Sequence, residues 1–262
     1  ALLAGDENAR QIDWAELYQS NLNNNVTIED ADGRTGNSVT GNNSIYIMEN
    51  QRSDNTEAGA NIIVNHTINP RTTLNGGARY QWYQGKNYKV VDDLLGGDFW
   101  TDWDFFGNFD GQTNPLARNS DLRVPNNVVR EGDVFGYNYN ENITRANAWA
   151  QVQYSQAKFQ VFAAAEGQQT SMQRDGLMQS GRFPDNSLGK SEKINFTTYT
   201  VKGGLTWKAN GRNYLYVNGL YGTRAPLFRN TFIAPRTRDF VVPNIEASTI
   251  SSVEGGYLLR SP

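Results

Sequence analysis

The chain has 262 residues, a formal net charge of -3, 38% apolar and 19% charged residues, 12% aromatics and no cysteine. The length holds one large domain or two small ones, and the composition suits a strand-rich, turn-rich protein better than a helical bundle. A slightly acidic balance leaves no basic footprint for nucleic acid, and without cysteine neither a disulfide framework nor a thiolate metal site can form.

Residues 1–10, ALLAGDENAR, lack a basic n-region and a long apolar core, so no signal peptide is legible. No run of ~18 apolar residues follows, which excludes a membrane helix. It does not exclude membrane strands, which need only ~10 residues of alternating character.

Period-two alternation then predicts seven strands. The first and weakest is ANIIVNHTI, followed by TTLNGGARYQWYQ, whose apolar face is Leu74, Gly76, Ala78, Tyr80 and Trp82. RANAWAQVQYS carries Ala146, Ala148, Ala150, Val152 and Tyr154, with Trp149 a misfit on the polar side. FQVFAAAEGQ, TTYTVKGGLTW, NYLYVNGLYG and SSVEGGYLL complete the set. Short turns fall at 69–71, 155–158 and 208–212, the last holding Asn210-Gly211, a strong hairpin signal. Long polar connections fall at roughly 84–143, 168–195 and 223–248.

Loops beyond ~15 residues are rare in compact soluble domains, whereas outer-membrane barrels alternate tight turns with long loops. Tyr80, Trp82, Tyr154, Phe159, Trp207, Tyr221 and Tyr257 stand near strand ends on the apolar face, as interfacial girdles require. A soluble β-sandwich could bury the same residues, but its inner face would be richer in Val and Ile than in Ala and Gly. The predicted class is all-β: an antiparallel transmembrane β-barrel segment with short periplasmic turns and long extracellular loops.

The longest connection contains GGDFWTDWDFFGNFDGQTNP, residues 96–115. Asp102-Trp103-Asp104-Phe105-Phe106-Gly107 begins like an EF-hand loop, but Phe106 occupies a ligand position and Thr113 stands where a bidentate Glu belongs. A different calcium site built from Asp102, Asp104, Asn108 and Asp110 stays open; no other cofactor is indicated. Trp100, Trp103, Phe105, Phe106 and Phe109 suit either a stacking surface for a sugar or peptide, or an apolar cluster that folds the loop over the barrel mouth. Inward packing is the expectation, with ligand contact second. Arg174, Arg182, Arg224, Arg229, Arg236 and Arg238 lie in or beside loops, where they would draw an anionic solute or lipopolysaccharide, or simply be solvated. His66 is the only histidine, so no Ser-His-Asp or histidine-rich metal site can assemble, and no enzymatic role is expected.

The segment NYLYVNGLYGTRAPLFRNTFIAPRTRDFVVPNIEASTISSVEGGY resembles the strand–loop–strand stretch of TonB-dependent outer-membrane receptors. Gly222-Thr223-Arg224-Ala225-Pro226 with Phe228-Arg229 matches its first part, and Asn244-Ile245 with Ser252-Val253-Glu254-Gly255-Gly256-Tyr257 its last. The chain departs at Glu246-Ala247-Ser248, where the usual Pro-Glu pair is displaced. DWAELYQSN, VREGDVFGYNY and RANAWAQ look like receptors of the Bacteroidetes type.

The resemblance implies a barrel of 22 strands, of which residues 1–262 would be a middle part, with the plug domain elsewhere. It implies energised uptake of a scarce nutrient (a siderophore, glycan or peptide) at the cell outer membrane. The partners would be a TonB complex acting through the plug, membrane lipid and lipopolysaccharide, and a surface lipoprotein. Gly222 would allow close approach or positive φ where the strand leaves the rim, and Pro226 would end the ladder. Glu254 would face the lumen, to pair with a wall cation or touch a ligand. The ligand candidates are Trp100, Asp102, Trp103, Asp104, Phe105, Phe106, Arg224 and Arg229. Two rivals are a passive porin-like barrel and a soluble carbohydrate-binding β-domain using the aromatic loop.

Overall fold

The computed structural model describes residues 11–110 and 114–260. It begins with helix α1 (Trp14–Leu22), capped by the Asp13 side chain, and a small hairpin of β1 (Asn25–Ile28) and β2 (Val39–Asn42). Two 22-residue strands follow, β3 (Met48–Asn69) and β4 (Thr72–Asp93). The next connection contains β5 (Trp100–Thr101), helix α2 (Phe105–Asp110) and β6 (Val128–Val129). Then come β7 (Val134–Ser155) and β8 (Phe159–Gly176), the two-residue β9 (Gly189–Lys190), β10 (Ile194–Lys208) and β11 (Asn213–Arg224). Helix α3 (Phe228–Thr231) and β12 (Ser248–Leu259) complete the order.

All seven predicted strands form and pair antiparallel in one sheet, in the order β12-β11-β10-β8-β7-β4-β3. The three short turns lie where the hairpin signals put them. At the last, Asn210 Oδ1 accepts the backbone N–H groups of Arg212 and Asn213. Among the described residues, β3 and β12 pair on one side only, which leaves two unpaired edges.

The register joins the predicted apolar faces into one. Val64, Gly76, Ala150, Ala165, Val201, Tyr221 and Ser251 make a continuous row across all seven strands. The polar partners line the other face, and exposure is inverted relative to a water-soluble sheet. Along β7 the apolar Ala146, Ala148, Ala150, Val152 and Tyr154 are exposed, while Arg145, Asn147, Gln151 and Gln153 between them are half-sheltered. Val253 on β12 is 81% exposed. Among the described residues no element packs on this apolar face, so the second sheet of the rival sandwich reading is not seen there.

Trp149 is no misfit. It stands on the polar face directly opposite Gly77, and its ring covers that glycine. Phe162 covers Gly204 and Tyr216 covers Gly256 in the same way. An aromatic ring over a cross-strand glycine replaces the packing that glycine lacks.

The strands run further than expected and the connections shrink to 94–133, 177–193 and 225–247. The reason is a reversal of the alternation. Beyond Arg145, Thr170 and Thr198 the buried apolar residues change sides: Ile143, Met172 and Phe196 point to the polar face, where Phe228 and Phe232 of the third connection pack on them. The other buried clusters, around Phe99 and around Val91 and Phe135, also belong to the loop end. The hydrophobic core therefore holds folded loops onto strand extensions, while the turn half of the sheet has none. Arg174, expected as a loop cation, is 1% exposed: its Nε donates to Pro235 O at 2.6 Å and its Nη1 to Ser187 O at 2.7 Å, tying the second and third connections together.

Candidate functional site

Six of the eight predicted ligand residues, those from Trp100 to Phe106, gather around one cleft of about 480 Å³ at the loop end. Its position begins with a bulge. The β4–β7 register slips between Tyr88 and Lys89, and Gly136 takes φ +72°, which frees its N–H from the ladder. That N–H donates to both Asp102 oxygens, at 3.0 and 3.2 Å. The same slip sets Lys89 Nζ over the rings of Phe135 and Tyr137, at 5.4 and 5.7 Å, while it ion-pairs with Glu49 at 2.7 Å.

From behind, the first connection is pinned by α1. Asn21 is fully buried; its amide donates to Tyr46, Leu94 and Leu95 carbonyls and accepts the N–H groups of Ile45 and Tyr46. A turn through Leu95 and Gly96, both at positive φ, then delivers Phe99 into the core and Trp100 to the cleft wall.

The six candidates of this connection divide by role. Asp102 is buried and turned inward; burial raises its pKa against the opposing hydrogen bonds from Ser120, Gly136 N–H and Asn127. Asp104 accepts the Phe106 N–H at 2.9 Å and pairs with Arg182 at 3.6 Å. Trp103 packs its ring under the Arg118 guanidinium, 4.3 Å away. Phe105 and Phe106 face outward, 67% and 64% exposed, and meet edge-on at 6.0 Å. The indole Nε1 atoms of Trp100 and Trp103 are buried and have no acceptor among the described residues. The loop thus packs inward at Phe99 and Trp103 and outward at the Phe pair. The side chains of Asn108, Phe109 and Asp110, and the whole of Thr113, lie outside the described residues.

Cations close the other side. Arg182 lies 5.6 Å from the Phe106 ring, and Arg236 lies 4.9 Å over Tyr137 while donating to Gln51 Oε1 at 3.1 Å. For Glu49, burial is outweighed by the Lys89 and Gln51 hydrogen bonds and the Arg236 charge, so its pKa is lowered. The sequence carries no signal for Lys89 or Tyr137, because both depend on the bulge.

Arg224 and Arg229 do not reach this cleft. Arg224 lies on the polar face and lines a separate chamber of about 460 Å³ with Arg79, Arg145 and Glu166, roofed by Ala225, Pro226 and Leu227. Arg229 lines a smaller recess beside it, with Glu57, Glu141 and Arg145. At Gly222, close approach rather than positive φ excludes a side chain, since a Cβ would stand 2.5 Å from Tyr199 O. Glu254 lies on the polar face and accepts a hydrogen bond from Asn218 Nδ2 at 2.8 Å. Gly255 faces Val217 on the apolar side, and the Tyr257 hydroxyl bonds to Asn213 Oδ1.

No family model and no curated protein matches the chain. Among solved structures it is similar to one titled Copper transporter OprC, at 11% identity and a TM-score of 0.29. The match covers 78% of this chain and 34% of that chain, so this chain spans about a third of its length. At that identity and score the likeness assigns neither ligand nor mechanism.

Proposed function

We propose that the chain is an arc of an outer-membrane transport barrel of the TonB-dependent receptor class, with the loop-end cleft as the solute-capture surface. One observation carries the reading: an apolar face continuous over seven strands, unpacked and more exposed than the polar face behind it. In water, such a face would be a large aggregation-prone patch; in a bilayer it is the wall of a barrel.

Its dimensions agree. Along β10, Tyr199 near the loops and Trp207 near the turns bound nine residues, within the ~9–11 residues that a tilted membrane strand needs. Tyr154, Phe159 and Tyr257 accompany Trp207, while Tyr80 and Tyr221 accompany Tyr199, whose ring is 6.4 Å from that of Tyr221. No helix of the described residues is long and apolar enough to cross a membrane, a fact that leaves strands untouched. Further strands would pair the edges of β3 and β12 and close the barrel.

Energised uptake rests on the sequence resemblance at Gly222–Pro226 and Ser252–Tyr257, which also brings in the TonB complex, a plug and an accessory lipoprotein. The deciding experiment is fractionation of the full protein from its native cell. Recovery in the outer-membrane fraction, released only by detergent and running faster on gels before boiling, is the expected result. Recovery in the aqueous fraction overturns it and restores the soluble sugar-binding reading.

A further inference from the structure

We propose that the chamber beneath Ala225–Leu227 is an oxyanion site, taking a dissolved solute that bears carboxylate or phosphate groups through Arg79, Arg145 and Arg224. This deepens the uptake reading by fixing the charge of the solute, and it rests on that reading.

Two of the guanidiniums are placed at a cost. Arg79 stands opposite Asn147, and Arg145 stands opposite Gln81 two positions along, so the arginines are diagonal neighbours on the same face of adjacent strands. Diagonal neighbours lie about 7–8 Å apart, and like charges there repel. Little within the chain relieves this. Among the described residues the side chains of Arg145 and Arg224 make no hydrogen bond or ion pair. Arg79 meets only the exposed Glu57, at 3.9 Å. The one acid lining the chamber, Glu166, accepts instead from Asn147 Nδ2 at 2.5 Å. The chamber's own lining holds three cations and one carboxylate, with Glu57, the partner of Arg79, and Glu141 in the adjoining recess. Ala225, Pro226 and Leu227 cover one side of it, Pro226 with no N–H to compete for an anion. Arg79 and Arg224 stay open to solvent, and Arg145 is half-sheltered. Thr170 and Thr198, both buried, back the wall with their hydroxyls bonded to Gln168. A guanidinium offers paired N–H donors that match an oxyanion, and the half-sheltered Arg145 is the one whose attraction is least screened by water. About 460 Å³ is room for a small polyanion rather than for water alone.

The test uses the full protein purified in detergent, with calorimetric titration of citrate and of inorganic phosphate at constant ionic strength, and chloride as control. One of the two oxyanions is expected to bind saturably where chloride does not. Arg224→Gln and Arg145→Gln should each weaken it about tenfold or more, the loss of a charge-assisted contact, while Arg71→Gln at the turn end leaves it unchanged. Arg145→Lys, which keeps the charge, guards against misfolding and should retain part of the affinity. Binding no better than chloride, or a double Gln variant that binds like the wild type, overturns the site. Failure of the uptake reading looks different: the protein would be found outside the outer membrane while citrate or phosphate still bound.

Discussion

The Trp149 indole lies across Gly77 of the adjacent strand, close enough that a Cβ on Gly77 would stand 2.9 Å from its Nε1. The same relation holds between Phe162 and Gly204 and between Tyr216 and Gly256, each pair directly opposed on the polar face. Glycines of the apolar face are roomier; the nearest atom to a Cβ on Gly219 is 3.9 Å away. Gly204→Val should therefore cost about 1–3 kcal/mol through overpacking. Gly219→Ala should stay within about 0.5 kcal/mol. Urea unfolding of the detergent-folded protein measures both.

Val217 lies on the apolar face within the band, opposite Leu205, and Thr200 on the polar face beside Tyr199, at the loop-side edge. Val217→Arg should cost about 2–4 kcal/mol if the apolar face meets lipid at mid-depth. Thr200→Arg should be mild. Equal tolerance of both in a bilayer-unfolding measurement would mean that the apolar face does not meet lipid, and a larger cost at Thr200 that the faces are the wrong way round.

Arg174 bridges two connections by hydrogen bonds from a buried charge. Arg174→Ala leaves the carbonyls of Ser187 and Pro235 without these donors and should cost about 3 kcal/mol. Because those bonds join loops, the loss should appear first as protease cleavage within 177–193 or 225–247, with the strands still protected.

Two carboxyls near the cleft should give opposite pH responses. Burial holds the Asp102 pKa above its ordinary 3.8. The folded state therefore keeps its proton longer than the unfolded chain, and stability falls as pH rises from 3.8 toward the folded value. Asp102→Asn should flatten that decline. Glu49 is held below its ordinary 4.5, burial notwithstanding, by Lys89, Gln51 and Arg236. Its contribution is present above 4.5 and lost as pH falls through the folded value. Glu49→Gln should remove that acid-side loss. Urea midpoints between pH 3 and 7 compare the two variants with the wild type.

Strand identity, turn positions and the handing of each face were legible because side chains in a strand obey a period of two. They stopped being legible where the periodicity kept its step and changed its sign. Ala146 and Ala148 are apolar on one face, but Ile143 is apolar on the other, and a reader following one face sees the pattern dissolve there. The cleft was half legible. Trp100 through Phe106 announce themselves by composition, whereas Lys89 and Tyr137 join them through a bulge set by one glycine. The chamber was less legible still, because Arg79, Arg145 and Arg224 are distant in sequence and meet only through strand register.

The sign reversal also acts as a depth stop. A sheet with one uniform apolar face could slide outward or inward by two residues at little cost, keeping every side chain on its own side. Here an inward slide would carry Thr144, Ser171 and Thr197, which continue the apolar face beyond the reversal, toward the hydrocarbon. An outward slide would lift Trp207 and Tyr257 off their interface. In the proposed barrel the strands would thus be fixed in height as well as in face, and the cleft would be held at a constant distance above the bilayer.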